Sequence, residues 1–364
     1  MTNRAIAHAR LRNSRLVGPP LGTPQDVVRW FGAVQSQDVP GALWAIGQRL
    51  PPGASAEVVG GAFDRGEIVR THAMRPTWHF LAPDELRWIQ ALTGERVHRV
   101  AGSMYRRLGL DDAVFRRAEA AMRGALSGGR ARTRDELRDP VRATGLDLAD
   151  PLVITHLAMH AELDCVICSG PRHGKQFTYQ LVDERVPSTA PRERDDALRD
   201  LALRYFTSHG PALVHDMAWW SGLTVTDVRR GVELAGDALE RRDIDGRPYV
   251  AARGGFEPGD IPEPHVLLLS NYDEYLGSYT DYSPIFDASL PQARSVSDVL
   301  GVHIVVRAGL VVGGWRRAFR GRRAVATVTL LDRLSAAERQ SLERETERWA
   351  VFFGLQPELD VREA

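Results

Sequence analysis

"GEIVRTHAMRPTWHFLA", from Gly66 to Ala82, decides how the rest of the chain is read. Its β-branched and aromatic residues predict two short strands, Ile68–His72 and Thr77–Leu81, joined by a turn carrying Arg75 and Pro76. Upstream, "TPQDVVRWFGAV" carries the marks of a helix start. Thr23 suits the N-cap, Pro24 the first helical position, and Asp26 the positive end of the helix dipole. Val27, Phe31 and Val34 share one face. Helices followed by a β-hairpin is the order of a winged helix.

The order recurs. In "RTRDELRDPVRATGL", Thr133 and Glu136 form a capping box; "DPLVITHLAMHAELD" then reads as an amphipathic helix and "CVICSGPRHGKQFTYQLVD" as strand, basic turn, strand. A third copy places two helices around Gly222 in "GPALVHDMAWWSGLTVTDVRRGVEL", and a hairpin with Asp245-Gly246 at its turn in "LERRDIDGRPYVA". After Gly254 the character changes. "GFEPGDIPEPH" reads as a linker, "VLLLS" as a buried strand, and "VHIVVRAGLVVGGWRRAFRGRRAVATVTLL" as three strands with glycine turns. Ser335 and Glu338 then cap a final helix that Gly354 stops. The chain is therefore read as α+β: three tandem winged-helix domains at 1–95, 96–185 and 186–255, followed by a β-rich domain at 256–364.

Composition is that of an ordinary globular protein, 43% hydrophobic and 26% charged, with formal net charge zero. No run approaches the roughly 20 apolar residues of a membrane helix, and the N-terminus has no signal-peptide core, so a cytoplasmic protein is expected. Cys165 and Cys168 lack a second ligand pair and read as buried free thiols rather than a zinc or redox site. His156 and His160 have a metal-like spacing but no HExxH glutamate, and read as core or interface histidines; no metal site is expected. GxGxxG, Walker and GxSxG motifs are absent, and no cofactor is expected.

Positive charge is almost entirely arginine, the side chain suited to bidentate phosphate contact; Lys175 is the single lysine. Arg75, Arg172 with Lys175, and Arg247 lie at or beside the three hairpin turns. The densest basic stretch, "WRRAFRGRR", combines Trp315 and Phe319 with Arg316, Arg317, Arg320, Arg322 and Arg323 on a predicted hairpin. Such a hairpin anchors phosphates and offers a wedge to a minor groove, or is simply a solvated charged face. In "NYDEY", a strand would send Asp273 and Tyr275 one way and Glu274 the other; acid–base, capping and domain-contact roles all fit.

"AVQSQDVP", Ala33–Pro40, places two amides one residue apart. In a helix Gln35 and Gln37 would diverge; in an extended segment they face the same way. Pro40 biases Val39 away from the helical region, so the pair converges if the helix ends near Ala33. Two amides offer acceptors and donors but no true general base. They suit the holding of a water, or they are a polar helix end.

"QSQ" after a helix, "RPTWHFL", "YDEYLGSYTD" and "GLVVGGWRR", in this order, resemble the AlkZ-type DNA glycosylases over nearly the whole chain. The resemblance implies three winged helices followed by a β-barrel domain. It implies a monomer that excises N7-alkylated purines from double-stranded DNA, notably bulky adducts and interstrand crosslinks of genotoxic natural products, as in the self-resistance of antibiotic producers. Gln35 and Gln37 match the family's Gln-aliphatic-Gln catalytic motif, with Ser36 departing from the aliphatic position. The family's DNA-probing hairpin corresponds to "VVGGWRRAFRGRR", and His79, Asp273 and Tyr275 stand as candidates for supporting the site. The other readings are a non-catalytic winged-helix regulator or adduct-binding protein, which would not need the glutamines, and a paralogue acting on simple lesions such as N7-methylguanine.

Overall fold

The structure, a computed structural model, describes residues 2–174, 176–286 and 303–363. It is a mixed α+β chain in which one local pattern recurs. The first unit holds α2 (Pro24–Phe31), β1 (Val34–Gln35), α3 (Val39–Gly47), α4 (Ala56–Arg65), β2 (Val69–Ala73) and β3 (Arg75–Leu81). Its strands form an antiparallel sheet in the order β1-β3-β2. The Thr23 hydroxyl accepts from the Asp26 amide and the Asp26 carboxylate answers, a complete capping box. α2 stops at Gly32, whose positive φ of 86° turns the chain into β1. Val39 departs from expectation, since α3 begins there with Asp38 outside it. Pro40 is accommodated because amides of a first helical turn have no intrahelical acceptor to lose.

The long α5 (Leu86–Arg107) leads into the second unit: α6 (Asp112–Leu126), β4 (Arg132–Thr133), α7 (Arg134–Arg142), α8 (Pro151–Leu163), β5 (Ile167–Ser169) and β6 (Thr178–Leu181). Its sheet has the corresponding order, β4-β6-β5. Cys165 and Cys168 are free, and burial raises both thiol pKa values, to about 11 and about 12. After the short α9 (Val182–Arg185), the third unit comprises α10 (Arg194–Ser208), α11 (Val214–Ser221), α12 (Val225–Ala235) and the hairpin β7 (Leu239–Ile244) and β8 (Arg247–Ala252). That hairpin turns through Asp245 and Gly246, both at positive φ.

The C-terminal region contains β9 (Val266–Leu269), α13 (Glu274–Gly277), β10 (His303–Arg307), β11 (Leu310–Arg320), β12 (Arg323–Leu330), α14 (Ala336–Phe352) and β13 (Gln356–Glu363). Among the described residues its sheet is open rather than a closed barrel, in the order β13-β12-β11-β10-β9. β13 runs parallel to β12 because α14 carries the chain back across the sheet. Val27, Phe31 and Trp44 of the first unit share one buried cluster with Trp315, Leu342 and Trp349 of the C-terminal region. Two indole N–H groups are satisfied by sheet carbonyls, Trp44 on Leu268 at 2.7 Å and Trp315 on Leu269 at 2.9 Å. Gly47 permits the close approach of α3 to α14: a Cβ there would lie 2.3 Å from the Phe352 ring. The N-terminal α1 (Asn3–Asn13) joins the third unit to the C-terminal region, since its Arg10 donates to the Pro211 carbonyl while Ala7 and Leu11 pack with Leu267 and Ile304.

Candidate active site

The sharp end of α2 sets up everything that follows. With the helix ended, β1 pairs with β3, and Gln35 sits opposite His79. Beyond β1 the chain stays extended, the Ser36 amide donating to the Trp78 carbonyl at 2.7 Å. Arg70 holds the next peptide, its guanidinium lying over the Trp78 and Phe177 rings and donating to the Ser36 carbonyl. The backbone of the Gln-Ser-Gln stretch is therefore clamped from both sides.

Gln35 is buried and held at both its backbone and its side chain. Its amide N–H donates to Glu274 Oε1 at 3.0 Å, and its Oε1 accepts from Arg75 Nη2 at 2.8 Å. Gln37 is exposed, with the Trp78 amide donating to its Oε1 at 3.4 Å. Gln35 lines a cavity of about 670 Å³ to which the first and third units, α5 and the C-terminal region contribute. Arg75 and Pro76 come from the first unit, Arg96 and Val100 from α5, Trp219 from the third, and Tyr272 and Tyr282 from the C-terminal region. The half-exposed Trp219 lies 5.3 Å beneath the Arg75 guanidinium, so one wall combines an aromatic face with a cation.

Glu274 is the group behind Gln35. It is 4% exposed, and its Oε2 accepts from Trp220 Nε1 at 3.0 Å, His209 Nε2 at 3.2 Å and the Ser278 hydroxyl at 2.5 Å. Burial opposes its charge, but the His209, Ser278 and Gln35 donors outweigh burial and lower its pKa to about 2. A buried carboxylate thus lies beneath the cavity, with Arg75 as a nearby countercharge. Burial lowers the Arg75 pKa, with Glu274 opposing the shift. His79 is fully buried; desolvation, then Arg75, depress its pKa to about 3, so it is neutral. Its Nδ1–H donates to the Thr77 carbonyl at 3.0 Å, which leaves Nε2 as an acceptor without a protein partner among the described residues.

The other candidates fall elsewhere. Asp273 and Tyr275 do not lie on a strand: Asp273 caps α13, accepting from the Tyr275 amide at 2.8 Å, and its carboxylate forms a buried bidentate pair with Arg49. The Tyr275 hydroxyl donates to the Gly309 carbonyl at 2.8 Å in the core. Both hold α13 in place, and Glu274 between them faces the site. Trp315 is 2% exposed and packed on Trp349, so it is not a surface wedge. Arg317 is paired with Asp38, Arg172 with Asp64 and Arg247 with Asp281. Arg316, Arg320 and Arg322 are exposed on the β11–β12 hairpin and have no ion-pair partner among the described residues. Lys175 lies outside the described residues.

Sequence reasoning passes over Arg70 and His209, and it weighs Glu274 only as one of a carboxylate pair without placing it at the site. The only signal in the sequence is Glu274's place in an acidic, aromatic segment. A comparison with curated proteins found no match. Among solved structures, the Streptomyces sahachiroi DNA glycosylase AlkZ is similar over 100% of both chains, with a TM-score of 0.80 at 23% sequence identity. That likeness concerns the fold. The family model described as "DNA glycosylase AlkZ-like" matches residues 28–352, so the chain belongs to the AlkZ-like DNA glycosylase family and acts on DNA as a glycosylase.

Proposed function

We propose that the protein hydrolyses the N-glycosidic bond of N7-alkylated purines in double-stranded DNA, including bulky adducts or interstrand crosslinks, with Gln35 and Gln37 holding the attacking water. The observation that carries this reading is the fixing of Gln35 at the wall of an open cavity by Arg75 and Glu274. Alkylation at N7 makes a purine cationic, so it leaves as a neutral base without a protein acid. The sugar then develops positive charge. Glutamine carbonyl dipoles and the carboxylate of Glu274 beneath Gln35 favour that charge, and a fixed water at C1′ supplies the attack. His79, neutral and paired with Gln35 across the sheet, supports the site from behind.

The described lining of the cavity contains no lysine, so the reaction is that of a monofunctional enzyme leaving an abasic site. A crosslinked base does not leave the duplex for an enclosed pocket, whereas an open cleft between units accepts it in place. The three helix–hairpin units act as tandem winged helices and the β11–β12 hairpin reaches the DNA through Arg316, Arg320 and Arg322. The protein acts as a monomer in repair or self-resistance.

The test is base release from a duplex carrying one N7-alkylguanine. Wild type is expected to form abasic sites, and Gln35→Ala or Gln37→Ala to lose about 100-fold or more, the scale of removing one fixed polar group from a preorganised site. Undiminished release by both variants overturns the catalytic assignment.

A further inference from the structure

The spacing of His156 and His160 suggests a metal pair, but the cluster that forms around His160 is a different one. His156 turns its Nδ1 into the protein with no partner among the described residues. His160 instead meets Asp164 one turn on, with Nδ1 and Oδ2 3.3 Å apart, and Asp164 Oδ1 lies 2.9 Å from Nε2 of His98 on α5. The donor atoms of these three residues all lie within 4.8 Å of one another. Glu119 of α6 adds a carboxylate oxygen 3.1 Å from the same His160 nitrogen.

We propose that His98, His160 and Asp164, with Glu119 as fourth ligand, form a binding site for a zinc-class divalent cation that joins α5, α6 and α8. Donors bonded to tetrahedral zinc at about 2.0–2.1 Å stand about 3.3 Å apart; the His160–Asp164, His98–Asp164 and His160–Glu119 pairs stand at 3.3, 2.9 and 3.1 Å, and Glu119 closes onto the three-residue set through His160. Imidazole with carboxylate is a donor set for zinc, cobalt or nickel; magnesium and calcium prefer oxygen alone. Two neutral imidazoles and two carboxylates balance a divalent charge. In the bound form each ring ligates through its unprotonated nitrogen and keeps its one proton on the other, His98 on Nδ1 toward the Tyr105 hydroxyl and His160 on Nε2; any further proton a ring carries leaves to solvent.

Both rings are already oriented for the task. The His98 Nδ1 hydrogen-bonds the Tyr105 hydroxyl at 3.3 Å, which directs Nε2 to the cluster. Phe115 stacks on His160, with ring centroids 3.6 Å apart and planes 15° from parallel. The ligands come from α5 and from α6 and α8 of the second unit, so the cation ties α5 to that unit. The hydrolysis needs no metal, and the site is structural; it stands whether or not the proposed lesion is correct.

The full-length protein, stripped with a chelator, is titrated with Co²⁺ and then competed with Zn²⁺. One equivalent of Co²⁺ with the visible d–d bands of a four-coordinate site is expected, displaced by Zn²⁺ and accompanied by a rise in melting temperature. His98→Gln and Asp164→Asn are each expected to weaken Co²⁺ binding at least tenfold while retaining base release from an N7-alkylguanine duplex. Asp164 is half-exposed, and its asparagine variant keeps the shape of the side chain, so that protein remains testable if His98→Gln fails to fold. Absence of stoichiometric d–d bands in wild type, or equal Co²⁺ affinity in Asp164→Asn, overturns the site and leaves four residues joined by hydrogen bonds alone.

Discussion

Glu274 shows what a single residue does here. A carboxylate without water stays ionised only when donors surround it, and this one has four: Gln35 N–H, Trp220, His209 and Ser278. Its pKa is about 2 in the fold against 4.5 unperturbed. A depressed carboxylate pKa contributes stability above the unfolded value, and that contribution is lost as pH falls through the folded one. Glu274→Gln is therefore expected to flatten the stability–pH curve between about pH 4.5 and about pH 2, the wild-type drop in that window being larger by roughly 3 kcal/mol. Urea melts of both proteins across the window measure this, and parallel curves would contradict the assignment. At neutral pH the same variant weakens the support of Gln35 and removes the anion beneath the cavity. Base release is expected to fall at least tenfold in rate while DNA affinity stays within about twofold. Arg75→Lys provides a second check at this scale. It keeps the charge but loses the planar geometry that reaches Gln35 Oε1, so it too lowers the rate more than the affinity.

At the scale of elements, the β11–β12 hairpin divides its arginines by their partners. Arg317 is committed to Asp38 and Arg323 to Glu358, whereas Arg316, Arg320 and Arg322 are exposed and available to phosphates. Replacing those three by alanine is expected to reduce the slope of log affinity against log salt by up to about 3, roughly 0.9 for each phosphate that is no longer neutralised. Trp315→Ala belongs to a different class, since deleting a buried indole costs about 3–5 kcal/mol and lowers the melting temperature without a selective change in salt slope. The elements themselves were legible in the sequence because their signals are local. The capping boxes at Thr133 and Ser335 and the Asp245-Gly246 turn each lie within four residues of the structure they specify. The end of α2 before Gln35 was legible for the same reason. The roles of particular side chains were not. The Asp273–Tyr275 segment alternates as a strand would, but the Asp273 side chain caps a helix and meets Arg49, 224 residues away in sequence. Glu274 gathers donors from Gln35, His209 and Trp220, and no spacing rule reaches that far. Trp315 reads as a wedge because "WRRAFRGRR" shows its charge but not that strand alternation turns the indole inward.

At the scale of the whole molecule, the site has no domain of its own, and its integrity rests on contacts between regions far apart in the chain. Arg49, at the end of α3, is 1% exposed on its side chain and satisfies three partners at once. It donates to the Ser14 carbonyl beyond α1 at 2.7 Å, to the Ala45 carbonyl within α3 at 2.6 Å, and to both oxygens of Asp273 at 2.8 Å. Asp273 in turn caps the short helix that presents Glu274 to Gln35. One ion pair therefore joins the N-terminal helix, the first unit and the C-terminal region, and it also orients the carboxylate under the cavity. Arg49→Met is expected to cost about 3–5 kcal/mol, because it leaves the buried Asp273 carboxylate without its partner. Unfolding should remain a single transition, since the first unit and the C-terminal sheet share one buried cluster. Adding Asp273→Asn removes the stranded charge, so the double variant is expected to regain part of the lost stability but not the lost rate, because the cap that aims Glu274 is still altered. Urea unfolding and base release on the wild type, both single variants and the double variant complete the cycle. A purely structural ion pair would restore rate and stability together, whereas a pair that also aims Glu274 separates the two.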